Sequence, residues 1–182
     1  MLPPLWKENL PIPKNIYSMI IKGKVHVYGD NIDTDRIIPG KYTKTLDISS
    51  LAAHVLEDLD PEFRHRVQSG DILVAGKNFG CGSSREQAPI ALKTSGISLV
   101  IADYFARIFF RNAINIGLPI LEIPGHEIGP DSELEIRLNT GEVLDHKSGK
   151  SYQATALPKV MIDILNSGGL VNYLKEKGSY QL

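Results

Sequence analysis

The chain has 182 residues, enough for one domain with a core of its own. Its residues are 42% apolar and 23% charged, as in an ordinary water-soluble globular domain, and a net charge of −1 gives no electrostatic case for nucleic acid or an anionic membrane. One cysteine, Cys81, excludes an internal disulfide and an all-protein cysteine site for zinc or an iron–sulfur cluster, and it points to a reducing, cytoplasmic setting.

No stretch approaches the roughly 18 unbroken apolar residues of a membrane span. Residues 1–18, MLPPLWKENLPIPKNIYS, lack an apolar signal core and are broken by prolines. They read as an irregular extension, with Met19 as a candidate second start and residues 19–182 as one α/β domain. IKGKVHVY (21–28) alternates like a single strand, and GDNIDTDRIIPGKYTKT (29–45) follows as a long polar loop. Asp47 caps an expected helix over 48–59, with Leu51, Val55 and Leu59 on one face, and Pro61 opens a second short helical turn. DILVAG (71–76) is a continuous apolar strand. KNFGCG is a glycine-rich turn, and SSREQAPIALKTSG is an expected helix ending at Gly96. ISLVIAD (97–103) is a second buried strand. A helix over 104–117 follows, with Phe105, Ile108, Phe109 and Asn112 on one side, and then a strand, LPILEI (118–123). Strands alternating with helices of this length indicate a parallel sheet. After Pro124 the pattern changes to short alternating segments around Asn139–Gly141 and Ser148–Gly149, an antiparallel hairpin or meander. Pro158 starts a closing helical pair.

The densest chemistry lies in Gly80-Cys81-Gly82-Ser83-Ser84-Arg85-Glu86, between a buried strand and a helix. A turn of this kind gathers backbone N–H groups at the positive end of a helix, and Arg85 can grip a carboxylate with two parallel bonds. The bland reading is a helix cap: Ser83-x-x-Glu86 and Ser84-x-x-Gln87 both fit a capping box. A cap needs neither two glycines nor an arginine, and Pro89, placed in the second turn of the expected helix, would break a hydrogen bond there. The residues alone leave cap and site both open.

Other patterns are weaker. Gly80-x-Gly82-x-x-Arg85 lacks the third glycine of the dinucleotide fingerprint, although Asp103 stands near where a ribose ligand would be. Asp30, Asp33 and Asp35 suggest calcium, but a loop begun at Asp33 puts Ile38 where glycine belongs and Lys44 where the bidentate acid belongs. A polar turn is the better reading of that segment. The five histidines show no ligand spacing. Cys81 has no histidine partner in a local motif. Arg107 and Arg111 lie one helical turn apart, as on a solvated face.

Taken together, GDNIDTDRIIPGKY, AGKNFGCGSSREQAPIALK and IADYFARIFFRNAINIGLP, in this order and spacing, resemble the small subunits of 3-isopropylmalate dehydratase. These are the detached swivel domain of the aconitase superfamily. The resemblance runs from about Met19 to the closing helices. It implies a swivelling α/β domain with a mostly parallel sheet and a β-rich C-terminal part. It also implies a partner, a large subunit holding a [4Fe-4S] cluster, with no cofactor bound by this chain. The implied activity is a hydro-lyase of leucine biosynthesis, interconverting 2- and 3-isopropylmalate. By the same resemblance Ser83 is the catalytic base, Arg85 binds a substrate carboxylate, Ser84 orients it, and Asp35 matches an active-site acid. Aconitase has histidine where this chain has Arg36. Lys44, in Tyr42-Thr43-Lys44-Thr45, stands where homoaconitases place an arginine for an extra carboxylate, so homoaconitate or another alkylmalate is the alternative substrate. A stand-alone anion- or nucleotide-binding module is the more distant alternative.

Overall fold

The computed structural model describes residues 20–44 and 47–178; the expected extension over 1–18 lies outside them. Two four-stranded sheets lie face to face. The parallel sheet takes β2 (Val25–Val27), β3 (Ile72–Ala75), β4 (Leu99–Ala102) and β5 (Ile120–Glu122) in sequential order. The antiparallel sheet takes β1 (Ile20–Gly23), β6 (Leu134–Arg137), β7 (Glu142–Asp145) and β8 (Ser151–Gln153), so the expected meander is present and β1 joins its edge.

A parallel sheet extended stepwise in one direction by right-handed connections carries its helices on one face. The side chains follow that rule. Leu73, Ala75, Val100, Ala102 and Ile120 point into a core shared with α4 (Gln87–Ser95) and α5 (Arg107–Asn115). Their neighbours Ile72, Val74, Leu99, Ile101 and Leu121 point the other way, against Leu134, Ile136 and Val143 of the antiparallel sheet. Both faces are covered, so β3 and β4 are fully buried and read as unbroken apolar runs. The closing helices α6 (Lys159–Asn166) and α7 (Leu170–Lys177) add Ile164, Leu165 and Tyr173 to the helical core.

Several elements differ from the expectation. The single strand expected over 21–28 is two strands in different sheets, broken at Lys24. Ile21, Val25 and Val27 all feed the core between the sheets, the first from one side and the others from the opposite side. Alternation is therefore unbroken where the chain changes sheets. The polar loop over 29–45 holds a short helix, α1 (Thr34–Ile37), capped by Asp33, whose side chain accepts from the Arg36 amide at 2.8 Å. It is anchored by Ile32, Ile37 and Ile38, each at most 2% exposed. The helix capped by Asp47 stops early: α2 spans Ile48–Ala53, and Leu56 turns the chain with a φ of 56°. The turn after Pro61 is α3 (Phe63–Arg66). On α5, Phe109 is buried but Ile108 is 45% exposed, so Ile108 faces outward with Arg107 and Arg111.

Candidate active site

After β3 the chain runs over the C-terminal edge of the parallel sheet, the usual position for ligands in such sheets. There it is laced to the segment after β2. The Gly80 amide donates to the Ile32 carbonyl at 2.7 Å, and the Thr34 amide donates to the Cys81 carbonyl at 2.9 Å. The two glycines have separate reasons. Gly80 has a φ of +76°, and a Cβ there would lie 2.2 Å from the Phe109 ring. Gly82 has a φ of +94° and turns the chain so that Ser83 meets α1.

Ser83 is half-buried, and its amide donates to Thr34 Oγ1 at 3.1 Å. The two hydroxyl oxygens are 3.0 Å apart. Arg85 forms a two-bond fork with Asp35, Nη1 to Oδ1 at 2.5 Å and Nη2 to Oδ2 at 3.1 Å. The hydrogen bonds from Arg85 hold the Asp35 carboxyl below the usual carboxylate range. Asp35, in turn, raises the Arg85 guanidinium above its ordinary value. Ser84 is exposed, and its carbonyl accepts from Asn112 Nδ2 on α5 at 3.0 Å. Ser83 and Arg85 thus share one surface with Asp35, 50 positions from Arg85 in sequence. Lys44 is exposed one residue beyond Thr43, whose carbonyl accepts from the Gln87 side chain at 3.4 Å. Among the described residues no hydrogen bond or ion pair joins Lys44 to Ser83, Arg85 or Asp35.

Two expectations about this turn change. Helix α4 starts at Gln87, with Glu86 as its cap residue and no side-chain cap bond, so neither capping box forms. Ser83 and Ser84 precede the helix instead of opening it. Pro89 becomes the third helical residue, where the amide has no intrahelical partner to lose, so its presence implies no strain. The Ser83 and Gly80 amides are both engaged, which removes two donors from any phosphate cradle.

The surroundings account for the other candidates. Asp30 Oδ1 accepts from the Lys77 amide at 2.8 Å, Asp33 caps α1, and Asp35 holds Arg85, so each of the three acids has a local partner. Asp103 Oδ1 accepts from the Gly125 amide at 3.1 Å. His26 pairs with Asp71 at 2.7 Å and His54 with Glu57 at 2.6 Å. Among the described residues no three His, Cys, Asp or Glu side chains are grouped to hold a metal. The strip leading to Lys44 is fixed by Tyr42, which stacks on His54 at 3.6 Å between ring centroids and donates to Glu57 at 2.9 Å. Lys41 foremost, with His54 and Tyr42, holds the Glu57 carboxyl down at about 2.

Thr34 and Asn112 are the residues whose place here the sequence did not mark. Thr34 sits in a stretch read for its acids, and nothing local sets it against a serine 49 positions later.

The Aconitase C-terminal domain family matches residues 55–126. A "3-isopropylmalate dehydratase small subunit" from Aquifex aeolicus is 56% identical over 163 residues, covering 88% of this chain and 97% of that protein. One from Thermodesulfovibrio yellowstonii is 52% identical over 165 residues, covering 90% and 98%. This chain belongs to the 3-isopropylmalate dehydratase small-subunit family. The crystal structure of 3-isopropylmalate dehydratase (LeuD) from Methanocaldococcus jannaschii superposes with a TM-score of 0.84 at 48% identity, covering 88% of this chain and 96% of that one. Within the small-subunit family frame, the domain match takes in Ser83, Ser84, Arg85 and Asn112, while Thr34, Asp35 and Lys44 lie upstream of it. No helix among the described residues is long and apolar enough to cross a membrane.

Proposed function

We propose that this chain is the small subunit of a cytoplasmic two-subunit hydro-lyase that interconverts 2-isopropylmalate and 3-isopropylmalate in leucine biosynthesis. The observation that carries this reading is identity above 50%, over nearly the full length of both chains, to proteins named as small subunits of that enzyme. The open turn supports it: among the described residues Ser83, Ser84 and Arg85 stand together on one surface, half-buried or exposed.

Dehydrating a hydroxy acid removes a proton from a carbon beside a carboxylate while hydroxide leaves the neighbouring carbon. Ser83 Oγ, as the alkoxide, takes that proton to become the hydroxyl and returns it on rehydration. Arg85 receives the adjacent carboxylate. A guanidinium has five N–H donors, and Asp35 engages two of Arg85's, leaving three for substrate. Asp35 orients that fork instead of touching substrate. The Ser84 hydroxyl, exposed beside Arg85, orients the same carboxylate. A partner large subunit holds a [4Fe-4S] cluster, which supplies the Lewis acid for the departing hydroxyl. The single cysteine of this chain does not fit a cluster site.

A second reading rests on Lys44, an exposed cation with no ionic partner among the described residues, which suits a further carboxylate such as that of homoaconitate. An anaerobic assay of this chain, alone and with its iron-reconstituted large subunit, on isopropylmalate and homocitrate side by side, tests both. We expect activity with the partner only, and on isopropylmalate. Preference for homocitrate selects the second reading, and no activity on either with an intact cluster and bound partner overturns both.

A further inference from the structure

Thr34 is 1% exposed, and its hydroxyl faces Ser83 twice. One of its lone pairs accepts the Ser83 amide proton at 3.1 Å. Its own single proton still needs an acceptor, and the only one bonded to it among the described residues is Ser83 Oγ, at 3.0 Å. With the reverse direction, Thr34 would accept two bonds and bury an unpartnered proton, a costly arrangement. The direction is therefore Thr34 O–H to Ser83 Oγ, which leaves the Ser83 proton free to face the open side of the turn.

We propose that Thr34 is a positioning residue for the reaction: its hydroxyl donates to Ser83 Oγ, fixes that oxygen's direction and steadies the negative charge of the alkoxide left once the Ser83 proton has passed to water on the open side of the turn. This rests on the reading of Ser83 as the base. A donor aimed at a developing oxyanion in a partly water-excluded site acts mainly on the chemical step, since substrate is held by other groups. Here those groups are Arg85 and Ser84. The same hydroxyl ties the 76–86 turn to α1, so the base and the Arg85–Asp35 fork move as one unit.

The test is made on the two-subunit enzyme with Thr34→Val, Thr34→Ala and Thr34→Ser, and with Ser83→Ala in parallel. Thr34→Val should bind the large subunit normally and keep KM within about twofold while kcat falls roughly a hundredfold. Thr34→Ser, which keeps the hydroxyl, should restore kcat to within about threefold. Thr34→Ala gives the same reading should valine prevent folding. Unchanged kcat in the hydroxyl-free variants, with Ser83→Ala inactive, overturns the role of Thr34 alone. Equal loss in Thr34→Ser and Thr34→Val, or loss of subunit binding along with kcat, also overturns it by assigning Thr34 a packing role. Turnover by Ser83→Ala overturns the assignment of the base, and the inference with it.

Discussion

Two polar knots in this molecule use the same kinds of groups to opposite ends. At the end of β7, the Asp145 carboxylate is 2% exposed and accepts four hydrogen bonds. They come from the hydroxyls of Ser132 at 2.8 Å and Ser148 at 2.7 Å and from the amides of Glu133 and Lys147, each at 3.1 Å. Its accepting capacity is used within the chain. On the far side of the parallel sheet, Arg85 is 26% exposed at the side chain and spends two of its donors on Asp35, itself 61% exposed. Capacity left over at an open surface marks groups that can meet another molecule, whereas a saturated buried carboxylate holds a turn together.

Arg85→Lys should give the larger effect. Lysine keeps the charge and loses the fork, so it cannot hold both Asp35 and a substrate carboxylate in the same geometry. Steady-state kinetics of the assembled enzyme should show kcat/KM down roughly a hundredfold with KM raised. Wild-type kinetics would make the Arg85–Asp35 pair a staple like Asp145.

Asp145→Asn should instead cost about 2 to 3 kcal/mol of stability, read from denaturant midpoints, with kcat unchanged at neutral pH. Its pH dependence has a definite sign. Burial raises the Asp145 carboxyl, and the hydrogen bonds from Ser148, Ser132 and the two amides more than offset this, holding it at about 2 against an ordinary 3.8. A carboxyl depressed in the folded state stabilises the fold above its unfolded value, and that stability is lost as pH falls through the folded value. The native chain should lose stability between about pH 4 and pH 2, and the Asn variant should lack that component of the slope. Lost turnover at full stability in Asp145→Asn would erase the contrast between the knots.

Much of this was legible in the sequence. The parallel strands announced themselves because burial on both faces makes them continuous apolar runs. The 80–86 turn did so because two glycines, two serines and an arginine in one place exceed what a cap requires. The start of α4 was hidden because the residues before it imitate capping boxes that the structure does not form. The β1–β2 break was hidden because both strands feed one shared core with the same parity. Helix α1 was hidden by its acids, which make an isoleucine-anchored segment look like a solvated loop. The Thr34–Ser83 contact was out of reach for a different reason: it is made by strand pairing over 49 residues, and no local pattern encodes it.

The central claim is that Ser83 in this turn carries the proton transfer. Its most direct test is turnover by the assembled two-subunit enzyme bearing Ser83→Ala, with subunit association and cluster content measured on the same preparation. We expect association and cluster unchanged and turnover reduced by about a thousandfold or more. Normal turnover with both subunits bound would contradict the account.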